Sequence, residues 1–328
     1  MQLNSFSSGF SLCSAAVVLM LTASTFAEDW PAGDTLDDIR IRDPFIVAHE
    51  ETRTYYLYGT GRPLGEPGFD AYQSRDLKTW EGPFAVFRPP AGYWGQRDFW
   101  APEVHRYRDR YYLFATFSPA GEGKRGTAIL VADTPAGPFV PHSAGRVTPD
   151  EWFALDGTLY VDQDEKPWMV FCHEWIQIGD GAFVATRLSD DLTQREGEPV
   201  TLFHASAAPW SRESRHQDFV GRVTDGPWLM HSEDGALWML WSTFGRFYTI
   251  GQARSASGKV TGPWAVQPEP LFTADGGHPM VFKTFAGEHV VAFHQPNSGG
   301  KERAQLRRIT LTNDGFAIAA RLWSSEAR

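Results

Sequence analysis

One phrase is written five times along this chain: an apolar strand, a polar turn, then a second apolar strand that ends in small or polar residues. It reads "RDPFIVAHEETRTYYLYGT", "APEVHRYRDRYYLFATFS", "DGTLYVDQDEKPWMVFCHEW", "DGPWLMHSEDGALWMLWSTF" and "GHPMVFKTFAGEHVVAFHQP". Taking Asp43, Ala101, Asp156, Asp225 and Gly277 as equivalent starts, the steps are 58, 55, 69 and 52 residues. Several copies run on into a third strand and a closing segment, as in "SRDLKTWEGPF", "ADTPAGPF" and "SGKVTGPW". A period of this size, with strand-like runs between Gly, Pro, Asp and Asn and no sustained helical period, predicts an all-β fold of four-stranded blades about a channel. Five copies predict a five-bladed β-propeller over residues 28–328. A plain β-sandwich leaves the repeated phrase unexplained. The long third step, before the fourth start, falls in "HASAAPWSRESRHQDFVGRV", which reads as a loop on the rim.

Inside the first copy, "IRIRDPFIVA" sets Asp43 among residues that want an apolar sheet. A buried carboxylate is costly unless it is paired, hydrated or used. In a propeller the innermost strands begin around one mouth of the channel, so residues at equivalent starts converge although they are distant in sequence. Asp43, Asp156 and Asp225 then meet there. Each alone, in a "D-P" or "D-G" pair, reads as a turn residue; recurrence at matching positions argues for use. Cleaving a glycosidic bond needs such a group of carboxyls, one ionised to activate water and one protonated to serve the leaving oxygen. Burial and mutual repulsion drive their pKa values apart.

With these segments in view the chain resembles glycoside hydrolase family 43, from about Arg40 to Leu311. The resemblance rests on "RDPFIV", "FWAPEVHRYRDRYYLFAT", "LDGTLYVDQDEKPWMVF", "TDGPWLMHSEDGALWMLWS" and "GGHPMVF". It implies a five-bladed propeller and inverting hydrolysis of arabinofuranosides, xylosides or galactose-containing glycans. It also implies Asp43 as general base, Asp156 as the carboxylate that tunes the acid, and the start of blade four as general acid. Blade four departs from the family pattern, which has Glu where this chain has Asp225. Either Asp225 still serves in a remodelled pocket, or Glu174 in "FCHEW" takes over, or the propeller binds carbohydrate without cleaving it.

Trp100 is expected at the mouth, where an aromatic face stacks on a sugar, with Phe45 and Glu103 as further substrate contacts. His278 opens blade five and, by resemblance, is the histidine that many family members use at a central calcium or water site. No cofactor is otherwise implied. The cluster Arg303, Arg307 and Arg308 reads as a solvent-facing strand. Neither a phosphate loop, a dinucleotide fingerprint nor zinc spacing is present.

The net charge of −10 argues against a nucleic-acid partner and suits an uncharged oligosaccharide or polysaccharide substrate. Thirteen Trp residues exceed the needs of a core this size, and a sugar-binding cleft is one place for the excess. The first 27 residues carry no charged side chain and contain "LCSAAVVLMLTA", which reads as an export signal cleaved near Ala27. The mature chain is then secreted or periplasmic, and Cys172, its one remaining cysteine, forms no internal disulfide. The expected activity is α-L-arabinofuranosidase-like and exo-acting, with β-xyloside, galactoside and galactofuranoside as alternatives.

Overall fold

Five antiparallel sheets, each of four strands laid down in chain order, make up the computed structural model, which describes Met1 and residues 33–322. The segment read as an export signal lies outside the described residues. The first strand of each sheet is innermost: Arg42–His49, Arg97–Tyr107, Ala154–Val161, Asp225–His231 and Gly277–Lys283. Apolar side chains alternate along these strands and pack blade against blade. Met169 and Phe171 meet Phe114 and Ile129 between blades two and three, and Trp238 and Leu240 meet Val291 and Phe293 between blades four and five.

Every inner strand carries a bulge at the same place. Pairing with the second strand runs Arg42↔Thr60 then Phe45↔Tyr58 in blade one, and Asp225↔Ser242 then Trp228↔Leu240 in blade four. The same step recurs at Trp100/Glu103 in blade two, Leu155/Thr158 in blade three and Gly277/Met280 in blade five. One extra residue per strand is the signature of a β-bulge, which re-aims a side chain. The bulged residues are Asp43, Ala101, Asp156, Gly226 and His278, all left-handed, with φ from 45° to 58°.

This ring corrects the repeat alignment at blades four and five. The counterparts of Asp43 there are Gly226 and His278, and Asp225 and Gly277 stand one position earlier, level with Arg42, Trp100 and Leu155. A Cβ on Gly226 would meet the His278 ring at 2.8 Å, so glycine is required both by φ and by space.

The bulges are tied to their neighbours by one repeated bond. The N–H of Ala101 donates to Thr60 Oγ1 (2.7 Å), that of Asp156 to Thr116 Oγ1 (3.0 Å) and that of His278 to Ser242 Oγ (2.8 Å). The N–H of Asp43 donates to His294 Nδ1 at 3.2 Å and joins blade five to blade one. In each case the acceptor lies in the last three residues of the second strand of the preceding blade. The equivalent residue of blade three is Cys172, whose thiol is a weak acceptor. The Gly226 N–H turns instead to Asp156 Oδ2, at 3.1 Å. Among the described residues no strand is shared between the first and last blades. The ring is closed by the bond to His294, by Ile41 N–H donating to the Glu302 carbonyl (3.1 Å), and by Tyr55 packed on Phe285.

Candidate active site

The bulges deliver three of the expected residues to one cavity of about 650 Å³ at the mouth. His278 Nδ1 lies 3.3 Å from Asp43 Oδ1 and 3.7 Å from Asp156 Oδ2, so it bridges two carboxylates that are over a hundred positions apart in the chain. Asp225 and Glu174 line the same cavity, as does Trp100. Phe45 and Glu103 do not. They lie deeper in the channel, beyond the bulge: Phe45 packs edge-on to His105 and Trp228, and Glu103 bonds His105 Nε2 at 3.0 Å. The arginines of "RAQLRRITL" are absent from the lining as well. They sit on the third strand of blade five, where Arg308 pairs with Glu288 and Arg307 covers Phe272.

Several lining residues were not singled out from the sequence. Thr60 donates its hydroxyl to Asp43 Oδ2 while accepting the Ala101 N–H. Tyr248, at the start of the third strand of blade four, donates to Asp225 Oδ2 at 2.8 Å and stacks on His294. Arg125 lies over Trp100 and reaches Glu174 Oε1 at 3.3 Å. The extra length of the third step folds into a two-stranded hairpin, Ser214–His216 with Phe219–Gly221, and brings His216, Gln217 and Phe219 to the cavity wall. Its base is pinned by Arg222 N–H donating to the Gly179 carbonyl at 2.9 Å. A Cβ on Gly221 would fall 1.9 Å from that same carbonyl oxygen, so only glycine allows so close an approach.

Burial alone would raise every carboxyl here, and the neighbours decide which ones escape. At Asp43 burial opposes ionisation, but His278, then the contact with His294, then Arg42 outweigh it and hold the carboxyl well below the usual range. Asp156 is pushed well above that range by burial and by the charges of Asp225 and Asp43, against the Gly226 N–H. Asp225 is also raised by burial, with Tyr248 and His278 resisting. Glu174 is 4 % exposed, and burial raises its pKa to about 7 despite Arg125. Its Oε2 has no hydrogen-bond partner among the described residues. One carboxyl is thus held ionised and another held neutral around a single cavity, which is the division of labour that acid–base catalysis requires.

The match to the family model "Glycosyl hydrolases family 43" runs over residues 38–317. The chain belongs to this family. The family's inverting glycosidase chemistry therefore applies to it, and the five blades are the family's propeller. The chain resembles an endo-arabinase from Bacteroides thetaiotaomicron, whose crystal structure superposes with a TM-score of 0.81 at 44% identity over 86% of this chain and 98% of that one. It is 27% identical to extracellular endo-α-(1→5)-L-arabinanase 1 of Bacillus subtilis, over 82% of this chain and 80% of the relative. It is 26% identical to an extracellular exo-α-(1→5)-L-arabinofuranosidase of Streptomyces chartreusis, over 71% and 70% respectively.

By resemblance His278 is expected at a central calcium or water site. Its Nδ1 faces Asp43 and Asp156, and its Nε2 is buried with no hydrogen-bond partner among the described residues. Among the described residues no three His, Cys, Asp or Glu side chains converge as a metal cage.

The raised Glu174 carries a consequence for stability. Its proton leaves near 4.5 in the unfolded chain and near 7 in the fold. Stability from this group is therefore complete below 4.5, declines as pH climbs to about 7, and is level above. The gap is worth on the order of 3 kcal/mol. Glu174→Gln mimics the protonated side chain, so it is expected to unfold at higher urea than wild type at pH 8 and at nearly the same urea at pH 4.5. An identical difference at both pH values would remove Glu174 as the group that titrates near 7.

Proposed function

We propose that the chain is an exported, exo-acting, inverting glycosidase that removes terminal α-L-arabinofuranosyl units from polysaccharide side chains of plant or algal type. The observation that carries this reading is the pairing of an ionised Asp43 with a neutral Glu174 around one cavity. In the step proposed, water attacks the anomeric carbon and yields its proton to the Asp43 carboxylate. Glu174 gives its proton to the glycosidic oxygen as the bond to carbon breaks. Asp43 ends protonated and Glu174 ionised, and exchange with solvent resets both. His278 and Thr60 keep Asp43 oriented, and Asp156 holds His278 from the other side.

Arabinofuranose is favoured by the two arabinan-active relatives, and exo action by the hairpin that walls one side of the cavity. Export is favoured by the extracellular relatives and by the apolar leader. No helix among the described residues is long and apolar enough to cross a membrane.

A second reading gives the acid role to Asp225, which stands at the family's acid position and whose pKa is also raised. A third, carbohydrate binding without turnover, is separated from both by a rate measurement. Proton NMR of p-nitrophenyl α-L-arabinofuranoside hydrolysis is expected to show the β-anomer of arabinose first, with the α-anomer appearing only through mutarotation. Linear arabinan is expected to yield arabinose from the outset. Early release of oligosaccharides would reject exo action, and binding without nitrophenol release would reject the enzyme reading.

A further inference from the structure

A second cavity, of about 560 Å³, adjoins the catalytic one, and Thr60 and Trp100 line both. Its remaining wall brings together Arg40, Arg62 and Arg97 against a single carboxylate, Asp98. On a chain of net charge −10 this is a local reversal of sign. Two of the arginines are partly committed. Arg97 donates to the Pro119 and Gly121 carbonyls at 3.1 and 2.8 Å, and Arg40 reaches Glu302 Oε2 at 3.3 Å, a carboxylate it shares with Arg42. Arg62 is exposed, and its guanidinium has no ion pair or hydrogen bond among the described residues. Asp98 accepts the Ser118 hydroxyl, and its charge helps to raise Glu174, so it offsets one guanidinium at most.

We infer that this cavity is a subsite for a sugar bearing an anionic substituent, a carboxylate or a sulfate ester, next to the residue cleaved in the catalytic cavity. Guanidinium forks match the planar oxygens of a carboxylate and the face of a sulfate, and such charge-assisted bonds are about twice as strong as neutral ones. A neutral sugar needs hydroxyl and amide partners, not three cations. The shared wall of Trp100 and Thr60 is what lets one glycan reach both cavities. The inference rests on the hydrolytic reading only for which sugar is cleaved; anion binding is independent of turnover.

The test is calorimetric binding at low salt of tetragalacturonate, of an O-sulfated galactotetraose, and of neutral arabinotetraose and galactotetraose. At least one anionic ligand is expected to bind about tenfold more tightly than both neutral ones, and which of the two does so names the substituent. Raising the salt to 200 mM is expected to erode most of that advantage. Arg62→Gln is expected to reduce it and Arg62→Gln/Arg97→Gln to abolish it, with hydrolysis of the neutral aryl arabinofuranoside unchanged. Equal affinity for neutral and anionic ligands, or an advantage that survives the double variant, overturns the subsite. Failure of the aryl glycoside to turn over in wild type would instead count against the hydrolytic reading and leave the binding comparison intact.

Discussion

Asp43→Asn is expected to lower kcat on the order of a thousandfold, in the middle of the range for loss of a general base. The loss should be the same for a nitrophenyl arabinofuranoside and for an unactivated alkyl one. In the proposed step Asp43 acts on the water, so improving the leaving group does nothing for the step it serves. The substitution is chosen to leave the frame standing. Position 43 has φ 50°, and asparagine is among the side chains that tolerate left-handed backbone. The bond to His294 uses the backbone N–H and is untouched, and an amide oxygen still receives the Thr60 hydroxyl. The structural cost is the lost attraction between the carboxylate and His278, His294 and Arg42. Removing a negative charge beside Asp156 and Asp225 offsets part of it. A variant that melts cooperatively near the wild-type temperature yet keeps more than a tenth of wild-type kcat would show that Asp43 is not the base.

Asp43 and Asp156 were legible because each breaks an apolar strand at a matching place in the repeat, and a buried charge that recurs asks for a reason. The five blades were legible for the same cause, since hydropathy alternation and turn residues act locally. The one-residue error at blades four and five had a signal against it. Pro44, Pro102, Pro227 and Pro279 fall in register only when Asp225 and Gly277 are set beside Arg42 and not beside Asp43. Arg125, Tyr248 and Thr60 were not legible, because their roles exist only between blades or across a loop, and nothing in one blade's own pattern reports its neighbour. The tryptophan count misled in the same way. Trp80, Trp238 and Trp241 are wholly buried between blades, and among the described residues only Trp100 and Trp175 line the catalytic cavity. Phe45 and Glu103 were read at the mouth because a flat strand would carry them there; the bulge turns the chain and drops them inside.

Glu174→Gln should cost more on a poor leaving group than on a good one, and that inequality separates it from Asp225. A general acid matters in proportion to how badly the departing oxygen needs a proton. The variant is expected to lose on the order of 10²–10⁴-fold on an alkyl arabinofuranoside and far less on a dinitrophenyl one. Asp225→Asn should slow both by a similar factor if Asp225 only shapes the electrostatics around Asp156 and His278. The pH profile adds an independent mark. With Glu174 protonated as the active form, wild-type kcat/KM should be flat below about 7 and fall tenfold per unit above it, and in Glu174→Gln that alkaline limb should vanish. Arg125→Met removes the one cation touching Glu174 and leaves burial unopposed, so the limb should move to higher pH. If it is Asp225→Asn that is rescued by the dinitrophenyl group and loses the limb, the proton comes from Asp225. The shorter side chain would then have kept the family's acid role, and Glu174 would be a neutral wall of the cavity.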